Sequence, residues 1–186
     1  VTAMAAVTSL DLAGIWQLTS ADGSTVAPAT VPGDMHSALI AAGKIPHPYN
    51  GRNEAAVQWV AQTDWTLSRF FELPTGTPLD GWYLDLTYLD TVAEIFVNGM
   101  SVLSARNTFR RYRPDVSHAL IAGSNQIEIR FRSNIAAGAQ EQAKQPFFVP
   151  WHEGNSPIPN GNMLRKPQCH FGWDWNMASA PFGLYG

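Results

Sequence analysis

Between positions 65 and 132 the chain breaks into short runs rich in branched and aromatic residues, at 65–73, 82–89, 93–97, 101–104 and 126–132, each parted from the next by turn residues. Runs of this length and composition predict strands. The dipeptide Asn98-Gly99, set between Ile95-Phe-Val97 and Met100-Ser-Val-Leu103, predicts a tight hairpin because both of its residues accept a positive φ. No helix-length periodic segment alternates with these strands, so a parallel βα sheet is disfavoured. The expectation is an all-β chain: an antiparallel β-sandwich of jelly-roll type with a few short helical insertions.

The flanks add detail. Positions 10–18 alternate well enough for another strand, closed by the turn Ala21-Asp-Gly-Ser. Asp34 stands at an N-cap position ahead of Met35, Ala38, Leu39 and Ile40, with Gly43 as the stop, which predicts a helix of about two turns. Helical spacing returns at 53–60 and again at 134–144, with Asn134 as the capping residue and Pro146 beyond the end, while Gly123-Ser-Asn125 marks a turn. At 186 residues, one domain over 1–186 is the default. Positions 1–9 read as a disordered lead or the remnant of a signal peptide. Positions 146–186 read as a long irregular segment, of the kind that carries function.

Composition narrows the function classes. A net charge of −3 with no Lys/Arg run gives no field for a phosphate backbone, so no nucleic-acid partner is expected. No apolar run approaches the roughly 18 residues of a membrane span. The single cysteine, Cys169, excludes an internal disulfide and reads as a packed thiol. Histidines 36, 47, 118, 152 and 170 lack metal-ligand spacing, so neither metal nor cofactor is expected. The compartment stays open, leaning to periplasmic or secreted.

The segment Arg165-Lys-Pro-Gln-Cys-His-Phe-Gly-Trp-Asp-Trp175 does not read as a core strand. Two indoles offer flat apolar faces and a carboxylate offers acceptors, a combination that suits a polyhydroxylated ring. The bland alternative is a buried Trp pair with a solvated or capping acid. Arg165 and Lys166 either pair with that acid or are ordinary surface charges. Trp173, Asp174, Trp175 and Arg165 therefore form the candidate substrate-binding set. Glycoside hydrolysis uses two carboxyl groups about 5 to 9.5 Å apart. The other acids, among them Glu54, Glu72, Asp85, Asp90, Glu94, Glu128, Glu141 and Glu153, mostly fall on predicted strands or helices where solvated charge explains them. Asp174 alone has a sugar-like setting, so the residues favour binding over catalysis.

Taken in order, Val31-Pro-Gly-Asp-Met-His-Ser-Ala-Leu39, Pro48-Tyr-Asn-Gly-Arg-Asn-Glu-Ala-Ala-Val-Gln-Trp59, Asp64-Trp65, Leu89-Asp-Thr-Val-Ala-Glu-Ile-Phe-Val-Asn-Gly99, Asn107-Thr-Phe-Arg-Arg-Tyr-Arg-Pro-Asp-Val116 and the 165–175 motif resemble the opening of the β-mannosidases of glycoside hydrolase family 2. The resemblance runs from about position 10 to Gly186. It implies a galactose-binding-like jelly roll, followed in the family by an immunoglobulin-like domain and a (β/α)₈ barrel that holds both catalytic glutamates. Catalytic residues are therefore expected beyond Gly186, and Asn53-Glu54 is given no catalytic role. By resemblance Asp174 reaches O4 and O6 of the sugar in the −1 subsite. The implied partners are a β-mannoside or mannose-containing oligosaccharide and the downstream domains. The open alternatives are a stand-alone lectin-like module and a purely structural sandwich. Where the family commonly continues with Gly-Pro, this chain has Asn176-Met177.

Overall fold

The computed structural model describes residues 9–186, so the expected lead at 1–9 lies, but for its last position, outside the described residues. Its main layer is a six-stranded antiparallel sheet of β1 (Gly14–Ser20), β2 (Val26–Val31), β4 (Trp65–Leu73), β6 (Ala93–Val97), β7 (Met100–Ala105) and β8 (Gly123–Phe131), in the order β2-β1-β4-β8-β6-β7. A second, smaller sheet orders β3 (Gly33–Asp34), β9 (Gly183–Leu184) and β5 (Leu89–Asp90) as β3-β9-β5. Four short helices decorate these layers: α1 (Met35–Ala41), α2 (Asn53–Ala56), α3 (Trp59–Gln62) and α4 (Asn134–Ala143). This is the expected antiparallel sandwich with helical insertions.

Period-two burial builds the main sheet. Trp16 and Leu18 of β1, Leu67 of β4, Ile95 and Val97 of β6, and Ile127, Ile129 and Phe131 of β8 turn inward and form one core. Asn98 and Gly99, at φ 50° and 79°, close the β6–β7 hairpin as the sequence predicts. Strand β2 escapes the sequence reading because Pro28 interrupts it. The proline is tolerated since β2 is the sheet's edge, paired only with β1.

The expected strand at 82–89 does not form as such. Only isolated bridges, Tyr83 to Asp115 and Leu86 to Tyr112, pair it with the chain at 112–115. Pro114 has no N–H to donate to the ladder, and Tyr88 at φ 54° turns the chain away before β5. The turn expected at Gly123-Ser-Asn125 lies slightly earlier: these residues open β8, and the Asn125 side chain clasps the N–H and C=O of Ile121. Positions 53–60 divide into α2 and α3 rather than forming one helix.

Capping at α1 follows the sequence, with Asp34 Oδ1 accepting from Ser37 N at 2.9 Å. At α4 the cap is Ser133, whose Oγ accepts from Ala136 N, and Asn134 is buried with its Nδ2 on Ala180 O. That bond ties α4 to the C-terminal segment. Phe182 reinforces the join, its ring centroid 6.0 Å from that of Phe131 in β8.

His36 on α1 is buried and neither of its ring nitrogens has a hydrogen-bond partner. Burial disfavours the imidazolium and pulls its pKa down from 6.5 to about 4, Lys166 adding to the effect and Asp34 opposing it. Because the folded pKa lies below the unfolded one, this stabilisation is present above pH 6.5 and is lost as pH falls toward 4. Urea denaturation at pH 7 and pH 4.5 is expected to show a drop of about 2 to 3 kcal/mol that His36→Gln removes for the most part.

Candidate functional site

The segment from 164 to 182 contains no long strand, so its shape depends on side chains that fix its backbone. The main anchor is Asp90 at the end of β5. Lys166 Nζ lies 3.0 Å from Asp90 Oδ1 and also donates to Pro181 O, and both side chains are sealed from solvent. Thr108 Oγ1 donates to Asp90 Oδ1 at 2.9 Å, and Thr91 Oγ1 bonds the same oxygen. One ammonium thereby clamps the segment at its entry, 166, and near its exit, 181. Lys166 is thus neither a surface charge nor a partner of Asp174, and Asp90 is no solvated strand acid.

Burial alone would raise the Asp90 carboxyl. His170, Lys166 and Thr91 together outweigh it and hold the group below its usual 3.8. His170 Nδ1 stands 3.4 Å from Asp90 Oδ2, outside good hydrogen-bond geometry. Its carbonyl accepts from Ala180 N at 2.8 Å, a second tie between the two limbs of the segment. Downstream, β9 slots between β3 and β5, and Gly183 leaves no room for a side chain: a Cβ there would come within 2.2 Å of Gly33 O.

On this frame sits a tight turn. Trp173 N donates to Asn176 O at 3.3 Å and Asn176 N to Trp173 O at 3.2 Å, which puts Asp174 and Trp175 at the tip. The turn is entered through Gly172 at φ 109°, whose Cβ position is filled by Pro157, Ala178 and Asn155 O, so glycine is required on both counts. Trp173 and Trp175 lean together with centroids 5.0 Å apart at 43°. Trp175 is 70% exposed and Trp173 37%, so this is not a buried tryptophan pair. Asp174 is exposed and makes no hydrogen bond or ion pair with any described residue.

Beyond the tip, the path of the chain is fixed at Asn176 and at Ala178. Tyr49 Oη donates to Asn176 Oδ1 at 3.0 Å, and Asn176 Nδ2 donates to Cys169 O at 3.4 Å. From α2, Glu54 Oε1 accepts from Ala178 N at 2.7 Å. Gln58, one turn along, donates through Nε2 to Ala178 O at 2.7 Å. Glu54 is therefore a loop holder and not a solvated helix acid. The sequence carried one usable signal for this, the four-residue spacing of Glu54 and Gln58, which lets both side chains reach the same Ala178 peptide.

Three of the four expected site residues share the turn. Arg165 lies apart, on a parallel bridge to Asn107 with its carbonyl accepting from Thr108 N at 3.0 Å, and it forms no ion pair with Asp174. Among the described residues the turn carries one free carboxylate, since Glu54 and Asp90 are engaged. Such a site can accept hydrogen bonds and stack a ring.

Comparison with known proteins gives four concordant matches. Residues 16–186 match the family model described as "Glycosyl hydrolase 2 galactose-binding domain-like". The "Probable beta-mannosidase" of Caenorhabditis elegans is 35% identical over 185 residues, covering 95% of this chain and 20% of that protein. The "Beta-mannosidase" of Bos taurus is 35% identical over 188 residues, covering 96% and 21%. In fold, the crystal structure of "Beta-D-Mannosidase from Dictyoglomus thermophilum" superposes with a TM-score of 0.86 at 29% identity, covering 95% of this chain and 22% of that one. The chain spans about a fifth of the length of the curated relatives it matches.

The anchoring bonds predict a local effect. Glu54→Ala removes the acceptor of the Ala178 amide and is expected to cost about 1 kcal/mol, read as a roughly fivefold faster hydrogen exchange at Ala178. Exchange in β4 and β8 should stay as it was.

Proposed function

Because the chain belongs to the glycosyl hydrolase 2 galactose-binding-domain-like family, we propose that it is the non-catalytic, substrate-positioning domain of a retaining exo-β-mannosidase. In this reading the parent protein hydrolyses terminal non-reducing β-D-mannose residues. Its two catalytic glutamates belong to a (β/α)₈ barrel reached through an immunoglobulin-like domain. Asp174 completes the −1 subsite from this side, accepting hydrogen bonds from sugar hydroxyls, while Trp173 and Trp175 fix its direction and wall the ring. The observation that carries the reading is the exposed carboxylate at the tip of a turn held at both ends, with no partner among the described residues. The names of the relatives supply the mannoside.

The chemistry follows from geometry. A charged acceptor on a sugar hydroxyl contributes about 1.5 to 3 kcal/mol, and a substrate oriented at the moment of bond breaking gains more than one held loosely. Asp174 lies outside the hydrolytic pair, so its contribution is positional. A second reading, a stand-alone sugar-binding module, draws on the 70% exposure of Trp175. It differs by requiring the 186-residue chain itself to bind mannose through Asp174.

Two measurements separate these. In the parent enzyme Asp174→Ala is expected to lower kcat/KM on an aryl β-mannoside about tenfold to hundredfold without shifting Tm, and an unchanged kcat/KM contradicts the proposal. The 186-residue chain alone is expected to release no aglycone. Calorimetric titration of that chain with mannose is expected to show no Asp174-dependent binding, and a saturable, Asp174-dependent heat would establish the second reading.

A further inference from the structure

Arg165 stands out in the sequence, yet the turn around Asp174 makes no use of it. It lines a groove of about 680 Å³ together with Asn107, Phe109, Gln145 and Asn162. That is within the roughly 300 to 1,000 Å³ of small-ligand clefts. The parallel bridge between Asn107 and Arg165 joins two of these lining positions through the main chain.

The hydrogen-bond inventory shows what the groove offers. Asn107 Oδ1 accepts from Phe109 N at 3.0 Å, which leaves its amide NH₂ as a donor. Asn162 Nδ2 is committed to Pro150 O at 3.1 Å and Gln145 Nε2 to Glu141 O at 3.2 Å, which leaves the two carboxamide oxygens as acceptors. The Arg165 guanidinium makes no hydrogen bond or ion pair with any described residue. Nearby Glu141 is already taken by Arg106 and Lys144. Phe109 adds a ring that is 61% exposed.

Donors, acceptors and a flat apolar face on one groove match a ring whose hydroxyls both donate and accept and whose C–H face is apolar. A simple anion would satisfy the guanidinium but leave the two carboxamide oxygens without a donor. We propose that this groove is a second carbohydrate site, distinct from the Asp174 turn, that takes a pyranose unit of a neutral oligosaccharide. Arg165 and the carboxamides bond its hydroxyls, and Phe109 covers one ring face. The choice of a mannoside as one probe rests on the function proposed above.

The test is an amide and guanidinium ¹H–¹⁵N titration of the 186-residue chain with β-1,4-mannotriose and, separately, with cellotriose. Expected are saturable shifts at the amides of Asn107, Phe109 and Asn162 and at Arg165 Nε with at least one sugar. Arg165→Ala and Phe109→Ala should each raise Kd about tenfold while leaving the spectrum's dispersion intact. No saturable shift with either sugar, shifts confined to 173–176, or binding that survives Arg165→Ala overturns the proposal. Binding of cellotriose alone supports the groove while counting against the mannoside reading, so the two ideas fail separately.

Discussion

The ion pair between Asp90 and Lys166 is the contact on which the rest of the C-terminal segment depends. Taking an ammonium and a carboxylate out of water costs several kcal/mol each, and their attraction offsets this only when the remaining hydrogen-bonding capacity is filled. Here it is filled: Thr91 and Thr108 serve the carboxylate, and the Pro181 carbonyl serves the ammonium. The pair therefore joins three pieces of chain that share no long ladder, namely β5, the entry at 166 and the exit at 181. A segment without strands gains a fixed shape from one buried bond network.

The proposed function draws on that division of labour. The six-stranded sheet supplies rigidity through inward Trp, Leu, Ile and Phe side chains, and the irregular limb supplies the exposed chemistry. Tyr49, Glu54 and Gln58, all from the stretch between α1 and α3, hold the limb from its other side at Asn176 and Ala178. Asp174 is left at the tip with its oxygens free. Under the function proposed above, a turn whose backbone is held this way gives up little further backbone entropy on meeting a sugar.

Much of this was legible in the sequence where the signal is local. The bounds of β4 and β6, the Asn98-Gly99 hairpin and the Asp34 cap all rest on residues within a few positions of one another. What escaped was decided at a distance. A lysine reads as a surface charge until a carboxylate 76 positions away is found buried beside it. Pro28 masks a strand that is allowed only because it lies at the sheet edge, and Pro114 with Tyr88 undoes a strand that composition at 82–89 favours. Glu54 reads as a solvated helix acid because its partner, the Ala178 amide, lies 124 positions on. The Trp-Asp-Trp stretch was singled out by its chemistry, but its turn, its exposure and the separate placement of Arg165 needed the fold.

The Asp90–Lys166 pair, and not the sheet, sets the shape of the limb that carries Asp174. Lys166→Met keeps the bulk and removes the charge, leaving Asp90 buried without its counter-ion. Residue-level hydrogen exchange on this variant reads out the hold of the pair on the limb. Strongly accelerated exchange is expected at Gly172, Asn176 and Ala180, with β4 and β8 protected as before. Unchanged exchange across 166–182, or an equal loss of protection throughout the sheet, would contradict it.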